Sequence, residues 1–179
     1  MLKPGKNIRL IPYESDQCSY LYDWYYSGEY EEFFRDIQPA PDLNSFRSFS
    51  QMKNAMVYMV SLIETGEIIG MVMLYEINPT IQKVSFAMLI DKKFEGKRFA
   101  LEAGYLAIKY LFEDLNVRKM CIETLSRNSR LAEYCRIYKI RKEGFLKDEA
   151  KIGGKFENVI RFAMFEKQAT QFINFMEHK

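Results

Sequence analysis

Residues 82–115 read QKVSFAMLIDKKFEGKRFALEAGYLAIKYLFEDL and decide the fold, because they place a strand, a basic turn and a long apolar helix in succession. The segment Gln82–Ile90 is mostly apolar, partly alternating and short, which predicts a strand. From Phe99 to Leu115 the polar positions are few: Glu102, Lys109, Glu113 and Asp114. This pattern predicts a helix that is buried on most of its circumference and lies at the centre of the fold.

The turn between this strand and this helix, DKKFEGKR at residues 91–98, carries four cations. A helix start already offers unpaired N–H groups and a partial positive charge, so added cations are unfavourable there unless an anion is expected. The turn therefore indicates either a phosphate site or a solvated loop whose lysines keep the surface soluble.

Outward from this centre, short strands and helices alternate. Further strands are predicted at residues 7–12, 56–63, 67–77 and 118–125, and as an antiparallel pair, 141–152 and 155–166, around Gly153 and Gly154. Further helices are predicted within 18–34, with a break near Ser27 and Gly28, at 128–138 and in a C-terminal tail of about 167–179. We expect one α/β (α+β) domain, residues 1–179, whose mixed sheet is covered by helices on both faces.

Composition disfavours several classes of function. A net charge of +2 argues against a nucleic-acid partner. No apolar run approaches the roughly 18 residues that span a bilayer, and the start MLKPGKNIRL is unlike a secretory signal, so we expect a cytoplasmic protein with no membrane partner. The only histidine is His178, and the three cysteines, Cys18, Cys121 and Cys135, are far apart. Histidine-based catalysis and a metal site are therefore not expected.

Segments spread over nearly the whole chain, taken in their order and spacing, resemble the GNAT N-acetyltransferase family, and in particular its ribosomal-protein-acetyltransferase-like branch. The segments that carry the resemblance are IRLIPYESD, GEIIGMVMLYEINP, FEGKRFALEAGYLAIKYLFEDLNVRKMCIET, RKEGFLKD and GGKFENVIRFAM. The resemblance implies a GNAT fold, a mixed and mostly antiparallel sheet of about seven strands. It also implies an enzyme that transfers an acetyl group from acetyl-CoA to a primary amine, without a metal.

In this family the backbone of the turn before the central helix binds the pyrophosphate of acetyl-CoA. Where the family has Gln or Arg, then Gly, then Gly or Ala, this chain has Glu95, Arg98 and Ala100, with a glycine shifted to Gly96. The resemblance implies these cofactor contacts: Gly96, Lys97, Arg98, Phe99 and Ala100 in the turn, Leu89 and Ile90 as strand backbone for the pantetheine, and Asn128.

The resemblance also implies a base for the amine and an acid for the departing CoA sulfur. The branch often has a glutamate where this chain has Ser85, so Glu76 on the preceding strand is the candidate base. The family's acid is a tyrosine seven residues after the asparagine, and this place holds Cys135. The acid is therefore expected to be Cys135, Tyr138 one helical turn further on, or a water molecule.

Aromatic residues crowd the region that usually shapes the acceptor site in this family. The expected substrate contacts are Trp24, Tyr26, Tyr30 and Phe33, because aromatic faces suit sugar or base stacking. We expect a small-molecule amine, such as a nucleotide-linked amino sugar, in preference to a protein N-terminus. The alternative is a binding or regulatory module that keeps CoA but has lost turnover. The assembly is expected to be a monomer or a homodimer.

Overall fold

The computed structural model describes residues 2–34 and 42–178. Within them the strands are β1 (Ile8–Pro12), β2 (Met56–Leu62), β3 (Ile68–Asn78), β4 (Lys83–Ile90), β5 (Lys119–Leu125), β6 (Arg141–Ile152) and β7 (Lys155–Phe165). The α-helices are α1 (Cys18–Tyr26), α2 (Glu31–Phe34), α3 (Leu43–Arg47), α4 (Phe99–Lys109), α5 (Ser129–Ile137) and α6 (Glu166–Glu177). Each predicted strand is present with bounds within two residues of the prediction.

Hydrogen bonds join the seven strands into a sheet with the order β1-β2-β3-β4-β5-β7-β6. The β1–β2, β2–β3, β5–β7 and β6–β7 pairs are antiparallel, and β4–β5 is parallel. A mixed, mostly antiparallel sheet of about seven strands is therefore confirmed. Contacts between residues divide the chain into two compact units. The first contains the described residues up to Tyr75 with Ala87–Ala107, and the second contains Glu76–Phe86 and the described residues from Ile108 onward.

The first unit has an aromatic core supplied by the helices that follow β1. Trp24, Phe34 and Phe46 are buried and pack with residues of β2 and β3 such as Met59 and Met71. In the hairpin between β2 and β3, Gly66 has φ +74°, a value that glycine adopts without a steric penalty. The apolar face of α4 is likewise buried, at Ala103, Leu106 and Ala107.

The central helix changes form at its C-terminal end, which lies in the second unit. The helix was predicted to run to Leu115, but α4 ends at Lys109 and is followed by one π-helical turn, Tyr110–Asp114. Leu115 N donates to Tyr110 O at 3.0 Å, a five-residue spacing that widens the helix before Asn116 turns to φ +49°. The predicted tail forms α6, which buries Phe172 and Ile173; residue 179 lies outside the described residues.

Candidate active site

In the first unit, the turn at residues 91–98 connects β4 to α4 through one short 3₁₀ turn and two left-handed residues. Asp91 Oδ1 accepts from Lys93 N at 3.0 Å, which starts the 3₁₀ turn Lys92–Phe94. Gly96 and Arg98 then have φ +78° and +63°. The side chains of Lys92, Lys93, Lys97 and Arg98 are all exposed. The four cations are thus presented to solvent at the start of a buried helix.

Helix α4 leaves donors available at this turn. Its first intrahelical bond runs from Glu102 N to Arg98 O at 3.1 Å. The N–H groups of Phe99, Ala100 and Leu101 precede that bond and have no intrahelical acceptor. Such N–H groups, together with the helix dipole, form a ready site for an anion such as a phosphate.

Arg98 explains how the turn keeps its shape without the glycine that the family resemblance implies. A non-glycine residue in the left-handed region costs on the order of 1–2 kcal/mol. Arg98 adopts φ +63° nonetheless, so its backbone has the conformation that glycine would take without strain. The substitution therefore adds a side chain and a charge but does not change the backbone direction.

The start of α4 is tied to the start of β1. The Glu102 carboxylate accepts from Asn7 N at 2.8 Å, from Asn7 Nδ2 at 2.9 Å and from Ile8 N at 3.3 Å. Beside this contact lies a cavity of about 380 Å³ in the first unit, lined by Lys6, Asn7, Leu62, Ile63, Glu64, Phe94, Lys97 and Phe99. The hydrogen bonds of Glu102 therefore hold the start of α4 next to β1 without relying on capping by residues close to the helix in sequence.

The two expected strand contacts, Leu89 and Ile90, differ in where their backbone groups point. Asp91 N donates to Ile69 O at 2.8 Å, so Asp91 and, two residues earlier, Leu89 direct their backbone groups toward β3. An added Cβ on Gly70 would collide with Leu89 O, in agreement with that direction. By alternation the N–H and C=O of Ile90 point to the opposite edge of β4. The structure therefore argues for Ile90, and against Leu89, as a backbone partner for a ligand.

In the second unit, the candidate base Glu76 contacts Ser85, the residue that stands where the branch often has a glutamate. Ser85 Oγ donates to Glu76 Oε2 at 2.6 Å, and Lys83 Nζ lies 3.9 Å from the same oxygen. Glu76 has φ +50° and its side chain is 62% exposed, whereas Ser85 is buried. A carboxylate is thus brought to the Ser85 position from the neighbouring strand.

Asn128 and the residues after it build the other predicted part of the site, also within the second unit. Asn128 caps α5, because its Oδ1 accepts from Leu131 N at 3.2 Å. Cys135 is fully buried, and burial raises the pKa of its thiol to about 12. A buried thiol with that pKa is a poor proton donor near neutrality, so the structure argues against Cys135 as the acid.

Tyr138 follows α5 and is half-buried, with its ring against α6. Its ring centroid lies 4.8 Å from that of Phe172 and 5.7 Å from that of Phe175, both in edge-to-face geometry. Tyr134 stacks parallel to it at 6.4 Å. Of the two side chains predicted to supply a proton, Tyr138 is the one that is not fully buried.

The four expected acceptor contacts lie in the first unit and have different environments. Trp24 is buried and Phe33 packs on the aromatic core, whereas Tyr26 is 49% exposed. Trp24 Nε1 donates to Asp91 Oδ2 at 3.2 Å, and Tyr30 OH donates to Asp91 Oδ1 at 3.3 Å. Trp24 and Tyr30 therefore hold the turn at 91–98, and this argues against their use as stacking faces for a substrate. Asp91 was missed from the sequence, although an aspartate before a short helical turn is a capping signal.

Comparison with known proteins places these features in a family. The family described as "Acetyltransferase (GNAT) domain" matches residues 7–136, most of the chain. The chain belongs to the GNAT acetyltransferase family. The match includes the turn at 91–98, Asn128 and Cys135, and it ends before Tyr138.

Two relatives in sequence carry acetyltransferase names. The spermidine N(1)-acetyltransferase of Escherichia coli strain K12 is 33% identical over 103 residues, which cover 58% of this chain and 55% of that protein. The chain therefore spans about half the length of this relative. The N-acetyltransferase p20 of Bacillus licheniformis is 25% identical over 142 residues, 75% of this chain and 80% of that protein. These names do not specifically support the ribosomal-protein branch.

Solved structures share the fold. The spermidine N-acetyltransferase of Vibrio cholerae in complex with CoA and spermine has a TM-score of 0.83 at 19% identity, covering 93% of this chain and 99% of that one. A probable acetyltransferase has a TM-score of 0.77 at 16% identity, covering 93% and 97%. The predicted GNAT fold is confirmed.

Two properties of the described residues concern membranes and metal ions. Within residues 2–34 and 42–178, no helix is long and apolar enough to cross a membrane. In the same part of the chain, no three His, Cys, Asp or Glu side chains are grouped so that they could hold a metal ion.

Proposed function

We propose that this GNAT domain is an acetyl-CoA-dependent N-acetyltransferase whose acceptor is a small amine with several positive charges. The observation that carries the proposal is the turn before α4, where Gly96 and Arg98 are both left-handed and the next three N–H groups have no intrahelical acceptor. This is the arrangement that would bind the pyrophosphate of acetyl-CoA. The charge around the expected acceptor contacts supports this acceptor class.

The region around the expected acceptor contacts is strongly acidic. From residue 10 to residue 34 the chain has no lysine or arginine and has six carboxylates: Glu14, Asp16, Asp23, Glu29, Glu31 and Glu32. Asp23 and Glu31 are exposed, whereas Glu29 forms an ion pair with Lys92 at 3.6 Å. A local negative field attracts cationic ligands and repels anionic ones. It therefore supports a polyamine and disfavours the nucleotide-linked amino sugar that the aromatic residues first suggested.

The names of relatives agree with this charge argument. The E. coli relative is a spermidine N(1)-acetyltransferase, and the V. cholerae structure holds spermine. Spermidine and spermine are flexible chains with several ammonium groups, so exposed carboxylates and aromatic faces such as Tyr26 suit them. A protein N-terminus, which carries one amino group, has less to gain from the acidic region.

Glu76 is the proposed base. A primary amine with a pKa near 10.4 needs about 4–5 kcal/mol to lose its proton at pH 7. The Glu76 carboxylate is accessible, and Ser85 and Lys83 keep one of its oxygens in place. It would take the ammonium proton directly or through one water molecule, after which the neutral nitrogen attacks the thioester carbon.

Tyr138 is the proposed acid. When the C–S bond of the thioester breaks, the sulfur takes a proton from the Tyr138 hydroxyl. The nitrogen of the new amide loses its extra proton to solvent, and the tyrosinate recovers a proton from solvent. The contacts of its ring with Phe172 and Phe175 fix its position at the end of α5.

Release of the CoA thiol, followed with acetyl-CoA and a panel of acceptors, tests the function. The panel contains spermidine, spermine, a simple monoamine, a nucleotide-linked amino sugar and a peptide with a free N-terminus. We expect kcat/KM for spermidine to exceed that for the monoamine by about tenfold or more, and KM to rise with ionic strength. Acetyl-CoA binding without thiol release for any acceptor would instead identify a binding module.

A charge variant separates the acidic region from general effects of charge. Glu31→Gln should raise KM for spermidine while leaving acetyl-CoA affinity unchanged. Glu149→Gln, on the exposed side of β6, is the matched control and should behave like the parent. If both variants have the parent KM, the acidic region does not bind the acceptor.

A further inference from the structure

We propose that Tyr30 is a positioning residue, which together with Trp24 holds Asp91 and so fixes the backbone of the turn at residues 91–98. The inference rests on the proposed function, because that function gives the turn its role in cofactor binding. Under this proposal, the aromatic segment at residues 18–34 supports the turn at residues 91–98 in addition to contributing to the acceptor region.

The Asp91 carboxylate is the centre of the contact. Its Oδ2 accepts from Trp24 Nε1 at 3.2 Å, and its Oδ1 accepts from Tyr30 OH at 3.3 Å and from Lys93 N at 3.0 Å. Two of these donors are more than 60 residues away in sequence, and the third starts the turn itself. Asp91 therefore links α1 and Tyr30 to the turn at residues 91–98, so the position of the turn depends on both.

Tyr30 makes a second, direct contact with the turn. Lys92 N donates to the Tyr30 hydroxyl at 2.9 Å while the same hydroxyl donates to Asp91. Burial is the main cause that raises the pKa of Tyr30 above its ordinary value, so the hydroxyl keeps its proton at neutral pH. One side-chain oxygen thus links two successive residues at the point where β4 ends.

The Lys92 side chain also contacts the segment that contains Tyr30. Its Nζ lies 3.6 Å from Glu29 Oε1 and 5.9 Å from the centre of the Tyr30 ring. Lys92 therefore contacts the acidic segment, so it is not simply one of four equivalent cations awaiting a phosphate. Lys93, Lys97 and Arg98 are the exposed cations that remain for an anion at this turn.

This support explains how the turn could function with an unfavourable sequence. Arg98 is held in a left-handed conformation at an energetic cost, and Glu95 adds a negative charge. A strained turn persists only when its surroundings fix it. The contacts at Asp91 fix the beginning of the turn, and those of Glu102 with Asn7 and Ile8 fix its end.

Removing the Tyr30 hydroxyl takes away the acceptor of Lys92 N and one donor of Asp91. We expect Tyr30→Phe to weaken acetyl-CoA binding by about tenfold, since one charge-assisted hydrogen bond is lost and one N–H loses its partner. Asp91→Asn retains one acceptor oxygen for the turn, so its loss should be smaller than that of Asp91→Ala. The conservative variant would thus partly rescue binding.

The test measures acetyl-CoA affinity by isothermal titration and kcat at saturating acetyl-CoA. Tyr30→Phe should raise Kd about tenfold with kcat within about twofold of the parent. Tyr20→Phe, with an exposed ring on α1, is the matched control and should bind as the parent does. Parent-like affinity in Tyr30→Phe would overturn the proposal, and so would a fall in kcat with unchanged Kd, which would make Tyr30 an acceptor contact.

Hydrogen exchange of the Lys92 and Lys93 amides gives a second measurement that needs no ligand. We expect exchange at both amides to be faster in Tyr30→Phe and unchanged in Tyr20→Phe. Unchanged exchange in both variants would overturn the proposal. If the parent protein fails to bind acetyl-CoA, the proposed function fails, while the exchange result still decides whether Tyr30 orders the turn.

Discussion

Replacing Arg98 by glycine tests the idea that the turn before α4 has the backbone of a glycine turn. Arg98 has φ +63°, and a non-glycine residue there costs on the order of 1–2 kcal/mol. Glycine removes this cost but loses more entropy on folding, about 0.5–1 kcal/mol. We therefore expect Arg98→Gly to raise the free energy of unfolding by up to about 1.5 kcal/mol, or at most about 3–6 °C in Tm.

Arg98→Ala is the control because it removes the same charge but keeps a Cβ at the same φ. It should show no gain in stability. Urea unfolding gives the free energy for each variant, provided that the slope with denaturant is the same as in the parent. If Arg98→Ala gains as much stability as Arg98→Gly, the long charged side chain is the cause, and the argument from φ is wrong. A loss of stability in Arg98→Gly would refute it as well.

The same pair of variants separates backbone from charge in ligand binding. Both lose one cation, so both should lose the same salt-dependent attraction for phosphate. Only Arg98→Gly allows a closer approach to the backbone N–H groups, so its acetyl-CoA affinity should exceed that of Arg98→Ala. Isothermal titration at two salt concentrations measures the difference. Equal affinities would mean that the backbone is already accessible beside a side chain.

Other substitutions examine the rest of the site. Gly96→Pro should abolish most acetyl-CoA binding measured by titration, since proline cannot adopt φ +78° and lacks an N–H, whereas Lys97→Ala should lose far less; equal losses would point to charge as the main cause. In steady-state assays Tyr138→Phe should lower kcat about 10²-fold with unchanged acetyl-CoA affinity, and Cys135→Ala should not; parent-like rates in both would leave water as the acid. Because the Cys135 pKa is raised to about 12, its neutral thiol contributes stability below about pH 9 that is lost toward pH 12. Urea unfolding at several pH values should show that the free energy of unfolding falls between about pH 9 and pH 12 in the parent, and falls less in Cys135→Ala. An identical dependence of the free energy of unfolding on pH in both proteins would contradict the burial argument.

Local patterns in the sequence were sufficient for the strand, turn and helix at residues 82–115. The alternation in β4 and the apolar length of α4 are properties of neighbouring residues, so they can be read directly. The end of α4 could not, because the π-helical turn at Tyr110–Asp114 depends on how the helix packs. The importance of residues 91–98 was also evident, since four cations at a helix start are unusual without a ligand.

The roles of individual side chains were predicted less well. Trp24 and Tyr30 have the composition of a stacking site, but their polar atoms contact a carboxylate 67 and 61 residues away. Cys135 occupies the place of an acid by its spacing from Asn128, and only its full burial shows that the thiol is unsuited to that role. The sequence indicates Glu76 only as a carboxylate on the strand before Ser85, and the structure joins the two side chains by a hydrogen bond.

The sequence by itself determined the order of the elements and the position of the turn, because periodicity, turn residues and helix-start chemistry act between near neighbours. Only the tertiary structure decided that Asp91 accepts hydrogen bonds from both Trp24 and Tyr30, that Glu76 accepts one from Ser85 and that Cys135 is fully buried. Those contacts arise when strands pair and helices pack, so they depend on residues far apart along the chain. Burial and long-range hydrogen bonds then set which groups stay available for chemistry.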